Sequence, residues 1–156
     1  MIGDNVEGMT ISFRPRRSAL FLPASNPKAL AKARSLPADV VILDLEDAVA
    51  PEAKAEARQA AIAAVAEGGF GRRELVVRTN GLDTPWGADD LSAMTAAGPD
   101  AVLVPKVNTP EEVRAYDAAL AQAPAHTRLW IMIETCACLP LLHQIAACGA
   151  DSRLAG

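Results

Sequence analysis

The chain has 156 residues, 51% of them hydrophobic, with a formal net charge of -4 and a pI of about 5.1. That length fits one ordinary domain with a sizeable core, and an acidic chain with no concentrated basic patch excludes a nucleic-acid surface. No apolar run approaches the roughly 20 residues that span a bilayer, and Met1 to Arg17 lacks the apolar centre of a secretory signal, so no membrane partner and a cytoplasmic location are expected.

Residues 1–13 read as a flexible leader. After Arg14, Arg16 and Arg17, the run Ser18-Ala19-Leu20-Phe21-Leu22, closed by Pro23, predicts a first strand. Ser25 or Asn26 can cap the next helix, and Pro27 suits its first position, where a missing N–H costs no helical bond. That helix is expected to run to about Ser35 and to end at Pro37. Val40-Val41-Ile42-Leu43 is uninterrupted and rich in β-branched side chains, as in a parallel strand buried on both faces. Directly after it come Asp44, Glu46 and Asp47. Such a polar cluster is costly unless solvent, a cation or hydrogen-bond donors receive it.

Pro51 can open a helix whose apolar positions Ala57, Ala60, Ala61, Ala64 and Val65 fall at helical spacing, and Gly68, Gly69 and Gly71 stop it. Leu75-Val76-Val77 predicts a third strand ending in Arg78-Thr79-Asn80-Gly81. A helix bearing Leu91 and Met94 follows, terminated by Gly98-Pro99. Ala101-Val102-Leu103-Val104 predicts the fourth strand, with Pro105 and Lys106 at its end. Thr109-Pro110-Glu111-Glu112 combines a hydroxyl cap, a proline and a capping-box glutamate at a helix start. Val113, Tyr116 and Leu120 give that helix an inner face. The fifth strand, Leu129 to Ile133, ends at Glu134-Thr135. A helix from about Leu139 to Ala147 follows, and Arg153 to Gly156 opens a sixth strand. Cys136, Cys138 and Cys148 are an odd number for a secreted disulfide framework. Their Cys-x-Cys spacing does not suit paired zinc thiolates, so they read as small core residues.

Strands alternating with helices mean successive βαβ units and a parallel sheet. This leaves an open doubly wound sheet and a barrel both possible. A dinucleotide site is excluded, because no Gly-x-Gly-x-x-Gly turn follows the first strand. In either architecture ligands bind at the carboxyl ends of the strands. Asp44, Glu46, Asp47, Arg78, Lys106 and Glu134 all fall there. At one rim, carboxylates can hold a hard divalent ion and a guanidinium can face an anionic substrate. That layout stabilises an enolate and so eases cleavage of a carbon–carbon bond beside a carbonyl. Each residue also has a plain role: Asp44 or Asp47 as a helix cap, Arg78 as a surface ion-pair partner, Lys106 as a solvated cation. Recurrence at equivalent strand ends favours the site.

Five segments, Arg17-Ser18-x-Leu20-Phe21-x-Pro23, Asp44-Leu45-Glu46-Asp47-Ala48-Val49, Val77-Arg78-x-Asn80, Val104-Pro105-Lys106 and Ile133-Glu134-Thr135, together resemble the citrate lyase beta subunit and malyl-CoA lyase group of the metal-dependent aldolase/lyase superfamily. The resemblance covers residues 14–156. It implies a (β/α)8 TIM barrel of the phosphoenolpyruvate/pyruvate type, of which this chain holds five β/α units and the start of the sixth strand. It further implies a homo-oligomer, trimer or hexamer, that uses Mg2+ to cleave or form a carbon–carbon bond in a 3-hydroxyacyl thioester carried on coenzyme A or an acyl carrier. Position by position, Glu134 would ligate the metal, Arg78 would bind the substrate oxygen and stabilise the enolate, and Glu46 and Asp47 would hold metal-bound water beside Asp44. Arg17, Phe21 and Lys28 would help place the coenzyme A portion.

Cys136 and Cys138 depart from the proline, alanine or glycine that family members often carry after Glu134-Thr135. A full barrel takes about 250 residues, and the family's Gly-x-x-Asp segment, source of a second metal carboxylate, would lie beyond Gly156. Three expectations follow: a piece of a longer lyase, a short chain completed by another copy or subunit, or a non-catalytic binding or assembly subunit. A class II type aldolase acting on free 2-oxo acids is the alternative within enzymes.

Overall fold

A computed structural model of the chain describes residues 14–156; the leader expected over residues 1–13 lies outside the described residues. Five strands, β1 (Ala19–Pro23), β2 (Val40–Asp44), β3 (Glu74–Arg78), β4 (Ala101–Val104) and β5 (Arg128–Ile131), alternate with α1 (Pro27–Ala33), α2 (Lys54–Glu67), α3 (Gly87–Ala97), α4 (Pro110–Ala119) and α5 (Leu142–Ala147). All neighbouring strands are parallel, and their spatial order is their order in sequence. A doubly wound sheet reverses direction at a switch point. No reversal occurs among the described residues. Leu154 continues the series by bridging Leu129 in parallel, and Leu129 N–H donates to Arg153 O while Ala155 N–H donates to Leu129 O, both at 2.9 Å. The sequential order is that of a barrel wall, which resolves the choice left open by the sequence.

Side chains alternate across each strand. Val41, Leu43, Val77, Val102, Val104 and Leu129 face the helices, where they pack with Ala57, Ala61, Ala64, Leu91, Met94, Val113 and Leu120. Fully burying an aliphatic side chain of this size contributes roughly 1.5–3 kcal/mol, so this layer supplies most of the driving force. The alanine stripe of α2 lets that helix lie close to the sheet. The opposite face carries a smaller cluster of Val40, Ile42, Val76, Ala101 and Leu103, with Trp130 and Met132 against it. Asp44 and Arg78 share that face, one pleat further along. At the amino ends of the strands, Arg16 closes the same face, paired with Glu74 at 2.5 Å and lying 4.8 Å from the Trp130 ring centre.

In secondary structure, differences from the sequence expectation are confined to element ends. The expected helix from Leu139 begins instead as a 3-10 turn, Cys136–Leu141. Pro140 lies inside that turn and has no N–H for an i to i-4 bond, so α-helix starts only at Leu142. β5 starts one residue early and its pairing ends at Ile131, where β4 runs out of partners. Cys138 is buried as expected of a core residue, whereas Cys136 is exposed on the 3-10 turn and Cys148 half-buried.

Candidate active site at the strand ends

Asp44 and Arg78 end adjacent strands in the same register, so both side chains emerge from one face as a cross-strand pair. Arg78 donates from Nε to Asp44 Oδ1 at 2.8 Å and from Nη2 to Oδ2 at 2.5 Å. Both side chains are nearly excluded from solvent, at 9% and 2% exposure. Each Asp44 oxygen accepts a second bond: Oδ1 from Glu46 N–H at 2.8 Å, Oδ2 from Ala48 N–H at 3.1 Å. Asp44 therefore caps its own loop rather than the next helix; α2 begins after a 3-10 turn and has no side-chain cap. Burial pushes the Asp44 carboxyl up, but Arg78 and the two backbone donors outweigh it and hold it below the usual aspartate range. The pairing with Asp44 likewise raises the Arg78 guanidinium against the effect of burial.

With its fork occupied by Asp44, Arg78 presents Nη1 to the interior, where it donates to Met132 Sδ at 3.7 Å. That nitrogen lies 3.0 Å from Glu46 Oε2 and 3.8 Å from Asp47 Oδ2. The Glu46 contact is close but poorly aligned, and Oε2 is a buried oxygen with no hydrogen-bond partner. Glu46 Oε1 pairs with Lys106 Nζ, and Asp47 Oδ1 lies 3.7 Å from the same ammonium. Bonding to Glu46 raises the Lys106 ammonium above the ordinary lysine value. Glu134 Oε1 accepts from the Lys106 backbone N–H at 3.0 Å. Asp44, Glu46, Asp47, Arg78, Lys106 and Glu134 are thus gathered at one rim, from the ends of β2, β3, β4 and β5.

Phe21 reaches this group from β1, its ring centre 5.4 Å from the Arg78 guanidinium and its side chain exposed. Lys28 is exposed in the first turn of α1, on the same side of the sheet ends. Arg17 is not brought there. It precedes β1 at the opposite, amino end, where Asp39 holds it with Nη2 3.1 Å from Oδ1, because both residues lead into the first turns of adjacent parallel strands.

A buried network behind the rim had no place in the sequence reading. Lys54, 5% exposed, donates to Leu45 O at 2.8 Å, Glu46 O at 2.7 Å and Asn80 Oδ1 at 2.8 Å. Burial lowers its ammonium from the ordinary lysine value, against the pull of the surrounding carboxylates. Asn80 Nδ2 donates to Leu45 O at 2.9 Å and to Asp90 Oδ2 at 2.6 Å, and Arg58 Nε pairs with Asp90 Oδ1 at 2.6 Å. One sequence signal was available: Lys54 falls on the same helical stripe as Ala57, Ala61 and Ala64, so a lysine there faces the core.

Among the described residues no group of three or more His, Cys, Asp or Glu has the geometry to hold a metal ion. The rim offers instead a hard-oxygen donor set: Glu46 and Asp47 around the Lys106 ammonium and Glu134 on its backbone. Such donors, with one buried oxygen lacking a partner, fit an ion that takes one or two carboxylates and keeps its water.

The profile of the HpcH/HpaI aldolase/citrate lyase family matches residues 17–155. A (3S)-malyl-CoA thioesterase of Cereibacter sphaeroides is 41% identical over 142 residues, 91% of this chain and 47% of the relative. An L-malyl-CoA/beta-methylmalyl-CoA lyase of the same organism is 41% identical over 143 residues, 86% of this chain and 45% of the relative. The citrate lyase beta subunit of M. tuberculosis, solved with oxaloacetate and magnesium, superposes with a TM-score of 0.71 at 33% identity, covering 92% of this chain and 57% of that one. The chain spans about half the length of the curated relatives it matches. By the profile, by these identities and by the sequential parallel fold, the chain belongs to the HpcH/HpaI aldolase/citrate lyase family.

Proposed function

We propose that this chain carries rim residues of a Mg2+-dependent carbon–carbon lyase acting on a 3-hydroxyacyl-CoA thioester of the malyl-, citryl- or citramalyl-CoA type. The observation that carries the proposal is the convergence of the Asp44–Arg78 pair with Glu46, Asp47 and Glu134 at one rim. Family membership and the malyl-CoA names of two relatives support the substrate class. Glu134 is the proposed direct ligand, with Glu46 and Asp47 placed to hold ion-bound water. The ion, when bound, would supply Lewis-acid stabilisation of negative charge on the substrate oxygen.

The protein's own residues supply the rest. Arg78 Nη1, the end of that guanidinium not taken up by Asp44, lies beside Met132 Sδ and Glu46 and is the proposed donor to the oxygen on which an enolate develops charge. Asp44 fixes its orientation through two bonds. Phe21 covers one side of the guanidinium and excludes water from it, and with Lys28 it is the proposed contact for the coenzyme A portion; Arg17, at the far end of β1, is left out of that contact. A homo-oligomer, trimer or hexamer, and a cytoplasmic location belong to the same proposal; no helix among the described residues is long and apolar enough to cross a membrane.

A second reading, hydrolysis of the thioester, is favoured by the thioesterase relative, whose identity equals that of the lyase. The two differ in the bond broken. Intact protein given Mg2+ and malyl-CoA yields acetyl-CoA plus a 2-oxo acid if it is a lyase, and malate plus free coenzyme A thiol if it is a hydrolase. Turnover of neither kind with malyl-, citryl- or citramalyl-CoA refutes the proposal. Arg78→Lys is expected to remove most activity, since a point ammonium cannot hold Asp44 and present a separate donor; near-normal turnover takes Arg78 out of the mechanism.

A further inference from the structure

Lys106 is the only non-glycine residue with positive φ among the described residues, at 54°. A β-carbon disfavours this left-handed backbone, so it persists only where surrounding contacts impose it. Here Asn108 Nδ2 holds the Lys106 carbonyl at 2.8 Å. The left-handed turn aims the backbone N–H at Glu134 while sending the side chain to Glu46 and Asp47. One residue therefore ties together carboxylates from the ends of β2 and β5.

The second observation is Glu46. Its side chain is nine-tenths buried, yet Oε2 has no hydrogen-bond partner. The one cation against it is Arg78 Nη1, 3.0 Å away but poorly aligned, so this buried oxygen keeps unused acceptor capacity. The neighbouring oxygen of the same carboxylate is taken by the Lys106 ammonium. That side chain is 52% exposed, so rotation of its stem carries the charge into solvent without crossing the packed interior.

We propose that Lys106 is an internal counter-ion that exchanges with the divalent cation: its ammonium holds Glu46 and Asp47 together until the ion enters, and then swings outward. Two cations on the same carboxylates repel at close range, and the ammonium is the one with an exit. The Lys106 backbone N–H stays with Glu134 throughout, so exchange moves the side chain only. This rests on the reading of the rim as a Mg2+ site and adds to it the group that the ion must displace.

Calorimetric titration of MgCl2 into the intact protein tests it, using Lys106→Met, which removes the charge, and Lys106→Gly, which also relieves the left-handed backbone while keeping the N–H for Glu134. Exchange requires both variants to bind Mg2+ more tightly than wild type, by about 1.5- to fivefold, the range an accessible ion pair is worth. It also requires Lys106→Met to melt at lower temperature than wild type without Mg2+ and to regain the difference at saturating Mg2+. Wild-type binding with unchanged or weaker affinity in both variants overturns the exchange and leaves the metal site standing. No Mg2+ binding by wild type overturns both.

Discussion

Asp44→Asn changes no heavy-atom shape, which makes it a direct measure of the charge pair behind the rim. In the wild type each carboxylate oxygen accepts two bonds, one from Arg78 and one from a backbone N–H of the following loop. An asparagine amide, in either orientation, replaces one accepting oxygen with a donor that faces two other donors. It also leaves a guanidinium of 9% exposure without its full counter-charge. Removing one partner of a buried pair costs about 3–5 kcal/mol. Glu46, 3.0 Å from Arg78 Nη1, supplies part of the missing charge, so the low end, about 3 kcal/mol, is expected. Urea unfolding with a slope of about 1–3 kcal/mol/M then gives a midpoint lower by about 1–3 M. The pH dependence carries the sign. Because the folded Asp44 carboxyl lies below its unfolded value, its contribution is complete above the unfolded aspartate pKa of about 3.9 and is lost as pH falls through the folded value. The stability gap between wild type and variant should be full at pH 7 and close below about pH 4. A gap under about 1 kcal/mol at pH 7, or one that does not narrow in acid, refutes the argument that the pair is desolvated and charged.

Lys54→Met should cost about 1–3 kcal/mol in the same urea experiment, because Asn80 Oδ1 loses its donor, while Leu45 O keeps Asn80 Nδ2 and Glu46 O keeps Val49 N–H. Hydrogen exchange should rise locally over residues 45–49; protection unchanged there means the lysine does not hold the loop. Gly87→Ala places a β-carbon 2.0 Å from Gly81 O, so the Asn80–Gly81 turn must move, at a cost of about 1–3 kcal/mol; a melting temperature equal to wild type shows that the turn yields freely.

The strands and the carboxylates gathered at their ends were legible because both rest on local patterns. Val40 to Leu43 is buried at every position, as an uninterrupted β-branched run requires, and the change to Asp44 marks the strand end. Thr109 and Glu112 form the capping box that their spacing announces. The βαβ repeat alone did not separate an open sheet from a barrel, since strand order is a non-local property; the barrel came from the resemblance of the five linked motifs, and the sequential strand order agrees with it. Arg17 illustrates a second limit. It sits in a motif with Phe21, but four residues of β-strand separate the two ends of a sheet layer, and only Phe21 reaches the rim. The Lys54 network was hidden for a different reason: one buried lysine on an alanine stripe carries little weight in a sequence, although its three acceptors make it a structural centre once they are seen.

Register decides what the rim can do. Asp44 opposes Arg78 because Val40 pairs with Glu74 four residues earlier, and a slip of one residue would turn Asp44 from the inner face toward the helices. With the register as found, arginine has a property that lysine lacks: five N–H donors in a plane. Two of its nitrogens grip Asp44, and the third lies against Met132 and Glu46 on the side of the rim. Under the proposed function the bidentate geometry then serves orientation, and substrate is left to the third nitrogen. On this view Arg78→Lys and Asp44→Asn should fail differently, the first by removing the donor that faces the reacting oxygen, the second by letting that donor wander. A double variant no more impaired in kcat/KM than Arg78→Lys alone would bear this out; additive losses would mean that Asp44 acts on the reaction by some route other than holding Arg78.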